Sequence, residues 1–96
     1  MALLSEEEIV ARLQHWEGWQ RKGPAMAKRF KLPTFREAIA FVTRVADIAE
    51  EMDHHPDITI NWRNVTFNLI TYSEGGLTEK DFILAQRIEE IATGKE

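Results

Sequence analysis

Glu50-Glu51-Met52-Asp53-His54-His55-Pro56 decides the reading of this chain. Before it, apolar residues recur with a helical period; after it, they alternate as in a strand. The stretch is therefore the corner between a long helix and a β-hairpin. Two of the chain's three histidines lie in it, among four acids once Asp57 is counted. A corner between two rigid elements is where a fold holds titratable side chains over a cleft.

Upstream, Thr34 with Glu37 forms a capping box. Phe35, Ala38, Ile39, Val42, Val45, Ala46 and Ala49 then follow the i, i+3, i+4, i+7 template. The spacing predicts a helix to about Glu51 or Met52, with that set facing the core. Phe41 and Ile48 form a second apolar face, which suggests a subunit contact. Pro56 ends the register, because the residue before a proline leaves the α region. Nearer the start, Ser5 with Glu8 is another capping box, stapled by Leu4 and Ile9, for a helix from about Ser5 to His15. An isolated histidine there is expected to meet the terminal carbonyls. Gly23-Pro24 signals a turn. Around it lies a hairpin with Met26, Phe30 and Leu32 inward, a basic outer face, and Trp19 in the core or a pocket wall.

Downstream, Ile58, Ile60 and Trp62 alternate, as do Val65, Phe67 and Leu69; Arg63-Asn64 between them reads as a two-residue hairpin connection. Tyr72 ends the second run at the parity opposite to Phe67, and Gly75-Gly76 breaks the strand. Thr78 with Asp81 caps a last helix, with Leu77 and Phe82 as its staple, carried by Ala85, Ile88 and Ile91 to about Ala92. The order α-β-β-α-β-β-α predicts an α+β fold: a four-stranded antiparallel sheet with helices packed on one face.

Ninety-six residues make one domain, residues 1–96. Hydrophobic residues at 44% and charged ones at 29% are globular values. The absence of cysteine excludes disulfides and thiolate chemistry and fits a reducing cytoplasm. No apolar run approaches ~18 residues, so no membrane span is expected, and the N-terminal residues lack the pattern of a signal peptide. A formal charge of −4 argues against direct nucleic-acid binding.

His54 and His55 are the residues best suited to chemistry, since histidine alone titrates near neutrality unassisted. Glu50, one turn before His54, is placed to orient that imidazole. A metal is not expected: neighbouring side chains on a helix point about 100° apart, so the two histidines are poor joint ligands.

Taken together these residues resemble the pterin-4a-carbinolamine dehydratases (4a-hydroxytetrahydrobiopterin dehydratases). That family's pattern is a glutamate, three residues, His-His-Pro, five residues, an aromatic, nine residues, a histidine or tryptophan, then an aspartate. Glu50, His54, His55, Pro56, Trp62 and Asp81 match it, and Gly75-Gly76-Leu77-Thr78-Glu79-Lys80-Asp81 and Arg44-Val45-Ala46 are also similar. The resemblance implies a hydro-lyase that removes the C4a hydroxyl of a hydroxylated tetrahydropterin. The products are quinonoid dihydropterin and water, which recycles the pterin of aromatic amino-acid hydroxylases. It implies proton transfer by His54 and His55, with Glu50 orienting them and Tyr72 at the third catalytic position. Substrate contacts would come from Glu50, Asp53, His54, His55, Pro56, Trp62, Thr71 and Asp81. The pterin is the substrate, so no cofactor is implied, and a homodimer or homotetramer is.

Tyr72 departs from the pattern, standing where the active enzymes carry a third histidine. With an ordinary pKa of about 10, a phenol donates a hydrogen bond but is a poor base at pH 7. A slower dehydratase, a re-partitioned mechanism and a lost activity are all open. The alternative is a diverged member that acts as a protein-binding or assembly factor.

Overall fold

A computed structural model describes residues 2–94; positions 1, 95 and 96, counted in the expected domain, lie outside the described residues. The elements follow the expected order: α1 (Glu6–Leu13), β1 (Gln20–Lys22), β2 (Ala25–Lys31), α2 (Phe35–Met52), β3 (Asp57–Asn61), β4 (Asn64–Leu69) and α3 (Glu79–Thr93). The sheet is antiparallel throughout, in the order β1-β2-β4-β3. Val65, Phe67 and Leu69 turn inward from β4 and are fully buried against the helices, while Asn64, Thr66 and Asn68 turn outward. Period-2 alternation on a half-covered sheet produces this pattern.

All three helix starts carry a side-chain cap, with the expected reciprocal box at Ser5 and Thr78 but not at Thr34, where the Glu37 carboxylate meets the Thr34 hydroxyl instead of its amide. Ser5 and Glu8 bond reciprocally at 3.1 and 2.9 Å. Thr34 accepts from the Glu37 amide, and Thr78 with Asp81 completes a capping box on α3. Leu77 and Phe82, the expected staple, are buried. Helix α1 stops at Leu13, short of His15, where the chain turns to pack Trp16 edge-on against Phe82 at 5.8 Å.

The inward face of α2 is shifted from the one expected: Ala38, Val42, Val45 and Ala49 lie in or against the core as expected, but Phe41 and Ile48 join them in place of Phe35, Ile39 and Ala46. Phe41 is buried and Ile48 packs on the core, along the stripe Ala38-Phe41-Val45-Ala49, whereas Phe35 and Ile39 are 52% and 40% exposed and Ala46 is also exposed. A helical period cannot say which of two apolar faces turns inward. The ring cluster decides it: Phe41 meets Phe30 at 5.3 Å and Phe67 at 5.5 Å, both edge-to-face. Phe41 and Ile48 therefore offer no outward face for a subunit contact.

Other expectations shift by small amounts with clear causes. Lys28 belongs to the inward side of β2 rather than the basic outer face, its ammonium 2.6 Å from Glu89 and 4.7 Å above the Phe30 ring. The β3–β4 connection is Trp62-Arg63, because Asn61 pairs with Asn64, and Trp62 takes a left-handed conformation with φ 57°. Strand β4 ends at Leu69, so Tyr72 opens a short 3₁₀ turn, Tyr72–Glu74, instead of ending a strand. Among the described residues no helix is long and apolar enough to cross a membrane.

Candidate active site

The terminator of α2 is Asp53 and not Pro56. Asp53 adopts a left-handed conformation with φ 51° and ψ 45°, and the His54 amide reaches back to the Ala49 carbonyl at 3.0 Å. That is a Schellman closure, and aspartate is among the few non-glycine residues that tolerate it. Reversing the chain there sends the two adjacent histidines in different directions.

His54 goes inward. It is 8% exposed, and its Nε2 lies 2.7 Å from Oδ1 of Asp81, which is fully buried at the start of α3. The Asp81 Oδ2 accepts the Thr78 amide at 2.9 Å and the Thr71 hydroxyl at 2.8 Å. Thr71 has one hydroxyl proton and gives it to the carboxylate, so the 2.8 Å contact between the two threonines must be donated by Thr78. Thr78 in turn accepts the Lys80 amide at 3.2 Å. Every proton in this chain has one direction, and all converge on Asp81. A carboxylate is buried at tolerable cost only when donors surround it in this way. It holds His54 Nε2 as the donor and leaves Nδ1 as the ring nitrogen that Asp81 does not engage.

His55 stays at the surface, where its Nε2 pairs with the Glu50 carboxylate. Glu50 thus orients His55, where sequence spacing suggested His54. The left-handed residue at Asp53 is the reason, since it breaks the helical phase that would have stacked Glu50 under His54. Tyr72, 69% exposed, donates its hydroxyl to Asp57 at 2.8 Å. The hydrogen bond to that carboxylate, and its charge, hold the phenol above its ordinary pKa. Tyr72 is therefore a hydrogen-bond donor and not a base.

Of the expected site residues, Glu50, Asp53, His54, His55, Pro56, Thr71, Tyr72 and Asp81 meet at this corner, where α2 ends, β3 begins and α3 starts. Trp62 does not, being at the opposite end of β3. Asp57 and Thr78 belong to the corner although they were read as an acid and a helix cap; only Asp57's position straight after His55-Pro56 signalled more. Among the described residues, no group of three or more His, Asp or Glu side chains is arranged to hold a metal ion.

The family model described as pterin 4 alpha carbinolamine dehydratase matches residues 2–91. This chain belongs to that family. A relative from Mycolicibacterium smegmatis named "Putative pterin-4-alpha-carbinolamine dehydratase" is 50% identical over 91 residues, covering 95% of this chain and 97% of its own length. A crystal structure from Brucella melitensis, described as a transcriptional coactivator/pterin dehydratase, superposes with a TM-score of 0.89. It is 35% identical, over 93% of this chain and 97% of that one. A pterin dehydratase-like protein described as a RuBisCO assembly factor of the alpha-carboxysome superposes with a TM-score of 0.68. It is 28% identical, over 81% of this chain and 93% of its own. The proteins this chain resembles are thus named for dehydration in some cases and for protein assembly in another.

Proposed function

We propose that this protein dehydrates a 4a-hydroxytetrahydropterin to the quinonoid dihydropterin. The observation that carries the proposal is the buried Asp81–His54 pair beside a surface histidine with its own carboxylate. The reaction breaks the C4a–O bond, the hydroxyl leaving as water after it gains a proton. The neighbouring ring nitrogen loses its proton, and those electrons form the new C=N bond. One group must give a proton and one must take one. His54 suits the base, because the Asp81 carboxylate stabilises the imidazolium that forms, as the aspartate of a catalytic triad does. His55 suits the acid, because its exposure lets it reload from water once the leaving hydroxyl has departed. Both steps are proton transfers, so the reading calls for no resident cofactor; a cytoplasmic setting belongs to the same reading.

Tyr72 limits the rate in this account. Its phenol, held protonated by Asp57, donates a hydrogen bond but removes no proton. That same observation favours the second reading, a diverged member working as a protein-binding or assembly factor, to which the RuBisCO assembly factor's structure lends weight. The test is turnover of freshly generated 4a-hydroxytetrahydropterin. A rate well above the spontaneous one, collapsing in His54→Ala and His55→Ala, supports the dehydratase. A rate equal to background in folded protein rejects it in favour of the second reading.

A further inference from the structure

The outer side of the sheet takes no part in the pterin corner, yet its composition is one-sided. Residues paired across an antiparallel sheet point to the same side, so the register fixes which side chains leave the face that the helices do not cover. Lys22, Arg29 and Lys31 leave it from β1 and β2, and Asn64, Thr66 and Asn68 leave it from β4. Asp57, at the far edge on β3, is the one acid among the outward side chains of the four strands. A chain with 16 acids against 12 bases has kept nearly all of its acids off this face.

The three cations are also idle. Arg12, Arg21, Lys28 and Arg87 each meet a carboxylate. Lys22, Arg29 and Lys31 are exposed and make no ion pair or side-chain hydrogen bond among the described residues. Between Lys22 and Arg29 the surface is hollow, with Gly18, Gln20, Ala27 and Thr66 completing a lining around about 470 Å³. Gly18 keeps the hollow open: its φ is 84°, and a Cβ there would lie 2.8 Å from the Lys28 stem.

Reach decides the class of ligand. Lys22 pairs with Ala25, and Ala25 to Lys31 is six residue steps along β2, about 20 Å at ~3.3 Å per residue. No single phosphate or small carboxylate spans that distance, whereas an extended polymer with repeated anions does. Between polymers, the chemistry of the face discriminates. Single-stranded nucleic acid is held by aromatic rings that stack on its bases, and none of the outward strand side chains is aromatic. Asn64, Thr66 and Asn68 instead offer both donors and acceptors, which suit peptide groups.

We propose that this face binds an extended acidic segment of a partner protein, its carboxylates on Lys22, Arg29 and Lys31 and one of them seated in the hollow. Complementary charge of this kind steers encounter and fixes register. The site does not depend on the pterin reading of the corner.

The test follows the anisotropy of a fluorescein-labelled octaglutamate peptide mixed with the whole chain in low salt. Binding is expected, and it is expected to weaken as salt is added. Arg29→Glu, at an exposed residue with no partner to lose, is expected to weaken it about tenfold, an attraction being exchanged for a repulsion. Arg36→Glu makes the same change of net charge on α2, and is expected to stay within about twofold of wild type. Amide shifts on titrating the peptide, read by NMR, are expected to gather on β1, β2 and β4. Absence of binding in low salt, or an equal loss in Arg29→Glu and Arg36→Glu, overturns the inference. An octauridylate that binds more tightly than the peptide also overturns it, making the face a nucleic-acid surface. No turnover is read, so the result stands apart from whether the corner dehydrates pterin.

Discussion

His54 and Asp81, 27 positions apart, are joined by a 2.7 Å hydrogen bond in the interior, and that bond ties the end of α2 to the start of α3. The same carboxylate caps α3, so the α3 cap and the His54 tautomer depend on one residue. Asp81→Asn keeps the shape but turns a pure acceptor into a side chain with two N–H donors. The expected result is a turnover number lower by about 10²–10⁴ with the fold intact by circular dichroism, because His54 is held in the wrong tautomer. His54→Ala leaves the carboxylate buried without its partner and is expected to cost about 3–5 kcal/mol in denaturant unfolding.

Tyr72 is the chain's only tyrosine, so a tyrosinate titration in the ultraviolet reports it alone. Its folded pKa is raised, chiefly by the hydrogen bond to Asp57. The stability this bond contributes is fully present below the phenol's ordinary pKa and is lost as pH rises through the raised folded value. The wild-type midpoint is expected above about 10, returning to the ordinary value in Asp57→Asn.

Asp53 holds a left-handed conformation that a side chain with a Cβ adopts at a cost of about 1–2 kcal/mol, which aspartate and asparagine evade in part. Asp53→Gly is expected to keep wild-type stability. Asp53→Ala is expected to lose about 1 kcal/mol, a melting temperature lower by roughly 4–8 °C for a domain of this size. Thermal melts check both.

The two apolar faces of α2 separate cleanly by mutation. Phe41→Ala removes a ring shared between Phe30 and Phe67 and is expected to cost about 3–5 kcal/mol. Phe35→Ala, on the exposed face, is expected to change stability by within about 0.5 kcal/mol. Denaturant unfolding of the pair tests which face is core.

Much of this was legible because it is local. The capping boxes at Ser5 and Thr78, the side-chain cap at Thr34, the alternation through Phe67 and the corner at His54-His55 are written in neighbouring residues, and so are the element order and the kinship they imply. Local signals fail where two local solutions have equal merit. Phe35-Ile39-Ala46 and Phe41-Ile48 are both good helical stripes, and a loop at Trp62-Arg63 or at Arg63-Asn64 closes the hairpin equally well on paper.

Sequence alone determined which residues carry titratable chemistry and in which elements they lie, because propensity, capping and period act over a few residues. Tertiary structure decided who pairs with whom: Asp81 with His54, Glu50 with His55, Asp57 with Tyr72. Those pairings depend on where the left-handed turn at Asp53 points the chain and on how closely α3 approaches it. The approach is set by burial across the whole core, which no short stretch encodes.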